Sequence, residues 1–207
     1  MRCEAHLYSF PECRALLRPH ANMTNYEQLF ENITQDPRYF ANLDWGKARA
    51  GHPEGTVRAH IAELETNLKR LRSRVSEDEY WRLRVLVHTH DSFKAEALKG
   101  VPILDPRSHA SLACAFLAEF CDDVDMLAIV QYHDEPFALW RQVEFKGTCN
   151  EERLASLIEN IRDWDLFLAF CLIDGCTEGK GREPLLWLFE AAALHGVQSR
   201  FNVEDLM

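Results

Sequence analysis

Imidazole and carboxylate side chains recur along this chain in an order that suits metal chemistry: His60, the adjacent pair His90-Asp91, His109, His133 and Asp174. Together these side chains make a ligand set for a borderline or hard divalent ion. The adjacent His90-Asp91 pair, inside "LRVLVHTHDSFK", can serve one ion or two. Each of these residues, buried alone, would need its own hydrogen-bond partner, at about 1–3 kcal/mol if left unsatisfied. A shared metal satisfies them together. The order H…HD…H…H…D therefore predicts a metal site assembled across several helices, and metal-assisted chemistry.

The elements that must carry these residues read as helices. Val57, Ile61, Leu64, Leu68 and Leu71 recur at spacings of three and four, an amphipathic stripe with His60 beside it. A second helix is expected from about Glu79 to His90, apolar on most sides, as suits a central helix. "KGVPILDPRS" reads as a loop whose Ser108 caps a helix begun by His109, with Ala113, Phe116 and Phe120 on the same stripe. Met126, Ile129 and Val130 define the next helix, and His133 continues that face until Pro136 ends it. After a polar loop near 146–151, one long helix is expected from Leu154 past Cys171 to Asp174. A last helix covers about 183–197 and stops at Gly196. No run of alternating strands appears, so the fold class is all-α. Residues 1–50 read as an N-terminal accessory segment of short helices broken at Pro11, Pro19 and Pro37, with Thr24 as one cap. "GHPEG" (51–55) is a turn, and 51–207 form the metal-binding helical domain. The accessory segment could cover the site, pack on the bundle or make a dimer contact.

Composition narrows the function classes. The 207 residues suffice for one domain with a sizeable core. A net charge of −10 argues against an extended nucleic-acid surface, which needs clustered Lys and Arg. It leaves room for a small phosphorylated substrate, because a bound metal reverses the local field. No apolar run reaches about 18 residues, the length of a spanning helix, and the N-terminus lacks the apolar stretch of a signal peptide. The seven cysteines are dispersed, without a CxxC pair, as expected of reduced thiols in the cytoplasm. Cys114 and Cys121, one heptad apart, read as core filling.

The quoted segments together resemble the HD-domain superfamily of metal-dependent phosphohydrolases, over roughly residues 50–180. "HPEGTVRAHIAEL" is similar to that superfamily's first-histidine helix and "HTHDSFK" to its HD-x-x-K signature. "SHASLACAFL" and "VQYHDEP" resemble the two further histidine helices, and "LIDGC" the closing aspartate. The resemblance implies an HD-domain-like helical bundle with a central metal site. It implies His60, His90, Asp91 and Asp174 as the core ligands, with His109 and His133 holding a second ion. It also implies catalytic roles for Asp91 and for Lys94, which would neutralise charge on a phosphoryl oxygen. Two ions in such a site stand about 3.5–4 Å apart; manganese, iron, magnesium, cobalt, nickel or zinc would all suit a mixed His/Asp set. The sequence departs from the pattern at Ser92 and Phe93, where small or apolar residues are usual, and Phe93 could narrow the mouth of the site. It departs again after Asp174, in "GCTEGKGRE", which leaves Asp163 and Asp165 as rivals for the last ligand. Asp174 is preferred because it follows an almost unbroken apolar run, where an unpaired carboxylate is costly.

Three functions remain open at this point. The leading expectation is hydrolysis of a phosphate ester, a nucleotide or another small phosphorylated metabolite, by metal-activated water. The alternative is a dinuclear iron oxygenase of the same superfamily, cleaving a C–C or C–P bond. The third is a non-enzymatic domain that binds a nucleotide or a protein; a homo-oligomer is compatible with each. Among the other polar residues, His52 reads as turn-stabilising, and His88 points away from His90 on a helix. Asp134 reads as an acid that orients an imidazole from behind, or as a loop acid. Arg58, Arg107 and Arg141 are candidate phosphate clamps, and Phe137 and Trp140 candidate pocket walls.

Overall fold

Short polar side chains mark where the helices begin. The computed structural model describes residues 25–206, in which ten α-helices follow one another. They are α1 (Tyr26–Gln35), α2 (Pro37–Asn42), α3 (Val57–Leu71), α4 (Glu77–Thr89), α5 (His109–Ala118), α6 (Val124–Tyr132), α7 (Glu135–Lys146), α8 (Glu151–Asn160), α9 (Trp164–Gly175) and α10 (Glu183–Leu194). Asn25, Thr56, Ser76, Ser108, Asp123, Asn150 and Asp163 each accept a backbone N–H of the first turn they precede. Ser76 and Glu79 cap α4 reciprocally. The described residues hold no strand, only isolated bridges in the loop before α3. The chain is all-α. No helix among the described residues is long and apolar enough to cross a membrane.

The expected boundaries shift at several points, each for a local reason. Thr24 lies outside the described residues, and Asn25 caps α1. Pro136 does not end a helix. It sits in the first turn of α7, where the amide that proline lacks would have no helical partner. The expected single helix from 154 to 174 is two. Ile161 turns extended, and the Asp163 side chain accepts from Leu166 N to start α9. α4 starts earlier than Glu79, at Glu77, and His90 is its C-cap. α10 stops at Leu194, with Gly196 in the left-handed region just beyond.

α4 and α9 form the centre. α4 buries Leu83, Val85, Leu86 and Val87, and α9 buries an unbroken run from Leu166 to Ile173. A helix apolar all round belongs inside, and α9 packs against α3, α4 and α10. α5 packs on α6, and α7 on α8 and α10. Residues 26–43 belong to the same core: Leu29, Ile33, Tyr39 and Leu43 join it, and α1 packs on α4. His88, two residues before His90 on α4, anchors this packing. Its Nδ1 lies 2.6 Å from the Tyr39 hydroxyl and its Nε2 3.0 Å from Glu65 Oε1.

The loop between α2 and α3 folds tightly back on itself. A Cβ on Gly46 would stand 2.2 Å from the Gly55 carbonyl oxygen, and Gly46 has a φ of 119°. Only glycine fits there. This close approach sets Glu54 and the Thr56 cap at the start of α3, which carries His60.

Candidate metal centre

Helix ends bring the histidines together. His60 stands in the first turn of α3, His109 opens α5, and His90 and His133 are the C-caps of α4 and α6. Asp91 follows His90, and Asp174 lies near the end of α9. His60, His90, Asp91 and His133 are buried. Among the described residues three groups of potential ligand atoms form, His52 with Glu54 and His60, His60 with His90 and Asp91, and Asp91 with His109 and His133, the atoms of each group within 4.8 Å of one another. Asp91 is common to the last two. Its Oδ2 faces His60 Nε2 at 3.9 Å and His90 Nε2 at 3.4 Å. Its Oδ1 faces His133 Nε2 at 3.5 Å and His109 Nε2 at 3.7 Å. Asp174 Oδ1 lies 2.9 Å from His60 Nε2.

The reverse sides of the rings fix their direction. His90 Nδ1 donates to the Leu86 and Val87 carbonyls, and His133 Nδ1 donates to Val130 O at 2.7 Å. Histidines whose Nδ1 is held this way, His90 and His133, present the Nε2 lone pair to the opposite side. His60 Nδ1 faces Glu54 Oε1 at 3.1 Å without a hydrogen bond, and its Nε2 bonds Asp174 Oδ1. Two of the inward atoms, His90 Nε2 and Asp91 Oδ1, are buried without a hydrogen bond. The Nε2 atoms of His109 and His133 stand 3.1 Å apart. Convergent lone pairs with unsatisfied buried acceptors fit a cation, so the residues present suit a divalent metal.

The charges fit as well. Burial pushes the Asp91 carboxyl upward, but His90, Lys94 and His133 outweigh it and hold it well below the usual carboxylate range. Burial acts the same way on Asp174 and is likewise overcome, by Lys180 and His60, so that carboxyl too is well below. Both are ionised, as ligands must be. Burial lowers His90, which keeps its imidazole neutral. His133 also feels burial, yet Asp134 and Asp91 raise it. The acids of the cluster favour a positive charge at their centre.

Several side chains differ from their expected roles. Asp134 does not orient an imidazole from behind. Its Oδ2 lies 3.1 Å from His109 Nε2, on the inward nitrogen, so it joins the cluster itself. Asp163 and Asp165 are not rivals for the last ligand: Asp163 pairs with Arg82 at 2.9 Å, and Asp165 accepts from Ser199 and Arg200 N. Phe93 does not narrow the mouth, being buried with its ring 5.0 Å from that of Phe116. Arg58 pairs with Asp44 and Arg107 with Asp105; both arginines are exposed, and neither lines a cavity at the cluster. Lys94 pairs with Asp91 at the cluster. His52 closes its turn through Glu54 at 2.9 Å, and it also lines the cavity over the cluster.

Glu54 and Lys180 were not singled out from sequence. Lys180 Nζ donates to Asp174 Oδ1 at 2.7 Å. Its loop is held by Gly179, where a Cβ would stand 2.7 Å from Pro53. The cluster opens into a cavity of about 540 Å³, walled by Phe137, Trp140 and Phe170 and edged by Arg49, Lys94 and Lys180. Such a volume suits a small ligand. No family model matches the chain, and neither does any curated protein or solved structure.

Proposed function

We propose that the protein is a metal-dependent phosphohydrolase of HD-domain type, acting in the cytoplasm on a nucleotide or another small phosphate ester. The observation that carries this reading is Asp91, whose two oxygens face two different histidine pairs at the floor of a cation-edged cavity. A carboxylate so placed suits two ions: His60, His90 and Asp174 would hold one, His109 and His133 the other, with Asp91 shared. Divalent ions bound there would supply Lewis acidity toward a water and a phosphoryl oxygen. Asp134 reaches the second group and could accept a proton there. Lys94 would face charge that develops on the phosphoryl group. Burial pulls its ammonium down, but Asp91, Asp134 and Asp174 hold it up, so it stays charged. Phe137 and Trp140 would wall the leaving group.

The test is metal analysis joined to a screen of phosphorylated metabolites. Activity with manganese in iron-free protein supports the hydrolase. The His109–His133 pair also favours a second reading, the dinuclear iron oxygenase, since it completes a histidine-rich site for a second ion. Substrate-dependent oxygen uptake by iron-loaded protein, without phosphate release, would replace the first reading by the second.

A further inference from the structure

A second cavity, of about 580 Å³, borders the cluster at His109 and Asp134. It shares Arg49, Lys94, Asp134 and Phe137 with the cavity over Asp91 and Asp174, so the two spaces adjoin. Its lining is unusually basic for a chain with a net charge of −10. Arg49, Lys94, Lys99, Arg141 and Arg153 all border it. Arg153 is neutralised by Glu135 and Lys94 by Asp91. Arg49, Lys99 and Arg141 form no ion pair with any acid among the described residues.

Two of these three cations are held by aromatic faces. Lys99 Nζ stands 5.9 Å from the centre of the Trp45 ring. The Arg141 guanidinium lies 5.9 Å from Phe137 and 5.6 Å from Phe145. A carboxylate would position such side chains but cancel their charge. An aromatic face restrains them and leaves the charge for an anion. Uncancelled cations beside an aromatic wall are suited to a phosphate or carboxylate.

We infer that this cavity is a subsite for a second anionic group, so that the substrate is a phosphate ester bearing a further phosphate or carboxylate away from the reacting one. The inference rests on the phosphohydrolase reading for the reacting end only; the subsite itself is read by binding. Lys99 and Arg141 grip the distal anion, and Arg49, which lines both cavities, spans the two ends of the ligand.

The probes are alkanediol bisphosphates of increasing chain length, the matched phosphate–carboxylates and the matched alkyl monophosphates. Each is titrated into full-length, manganese-loaded protein by calorimetry. At one chain length the bisphosphate should bind roughly tenfold or more tightly than its monophosphate, and the phosphate–carboxylate series shows which anion is preferred. The double variant Lys99→Gln/Arg141→Gln should bring that ratio close to one. Arg107→Gln, an exposed charge change at a residue that lines neither cavity, should leave it as it was. Equal binding of both series at every length overturns the inference, as does a ratio unmoved by the double variant or no binding of either series. A bisphosphate preference without phosphate release under any metal keeps the subsite and rejects the hydrolase.

Discussion

Glu54 shows at the scale of one residue how the cluster is held. Its Oε1 is shared between His52 Nδ1 at 2.9 Å and His60 Nδ1 at 3.1 Å. Its charge favours the proton of His60 on Nδ1, although no hydrogen bond forms there, and so favours Nε2 as the nitrogen left for a cation. Glu54→Gln should keep the fold and weaken metal affinity by about 10–100-fold, the usual effect of losing a carboxylate behind a ligating histidine. Titration of the metal-free variant with manganese reads this; unchanged affinity would show that Glu54 serves the turn alone. His60, His90, His109 and His133 were legible in sequence because each sits at a helix end beside an apolar stripe. Glu54 was not, although "HPEG" stood out, because its role depends on a glycine-permitted turn that folds it back onto α3. Asp134 is a loop acid between α6 and α7, one of its two expected readings, and its contact with the inward nitrogen of His109 was not legible, since sequence does not tell which nitrogen of an imidazole a carboxylate will meet.

At the scale of elements, stability and the site depend on α4, whose two faces do different work. One end presents His90. The opposite face carries His88 and Arg84, both of which meet Glu65 of α3. Burial raises the Glu65 carboxyl, but His88 and Arg84 outweigh it and leave it below its ordinary value of 4.5. A carboxyl lowered in the folded state adds stability above the unfolded value, and that stability is lost as pH falls through the folded value. Glu65→Gln should therefore cost about 1–3 kcal/mol near neutral pH, with the difference from wild type narrowing below pH 4.5. Urea unfolding at neutral and acid pH checks this; a constant difference would place the effect in packing. In the middle of α4, Arg82 pairs with Asp163 at 2.9 Å and Asp123 at 3.3 Å, and Tyr26 donates to Asp123 at 2.6 Å. Arg82→Met should destabilise by about 3 kcal/mol, because it leaves two partly buried carboxylates without their counter-charge. Denaturant unfolding measures the loss, and full stability would show the pairs to be spectators. The helical pattern exposed α3, α5 and α6 clearly. It ran α8 into α9 because both faces share apolar spacing, and only the local bonding of Asp163 separates them.

At the scale of the whole molecule, the site joins distant parts of the chain. His60, Asp91, His133 and Asp174 come from α3, α4, α6 and α9 or the residues just after them, so a shared cation would tie these elements together. Ligands that bind only the folded state stabilise it, by about 2.7 kcal/mol at a hundredfold excess over Kd. For a chain of this size that corresponds to a rise in Tm of roughly 5–10 °C. Manganese added to chelator-treated protein should produce that rise, and an unmoved Tm across several divalent ions would count against a structural tie. Of the expected accessory segment 1–50, residues 25–50 are described, and they share the core and the site with residues 51–206. Leu29, Ile33 and Tyr39 lie in the common core, and Trp45 and Arg49 line the second cavity.

The central claim is that Asp91 joins two metal-binding groups that work on a phosphate ester. Asp91→Ala tests it most directly, through elemental analysis of the reconstituted protein and phosphate release from the best substrate in the screen. Wild type should load up to two divalent ions per chain and turn over, while the variant should lose both metal and turnover. A variant that keeps full metal loading and full activity would contradict the account.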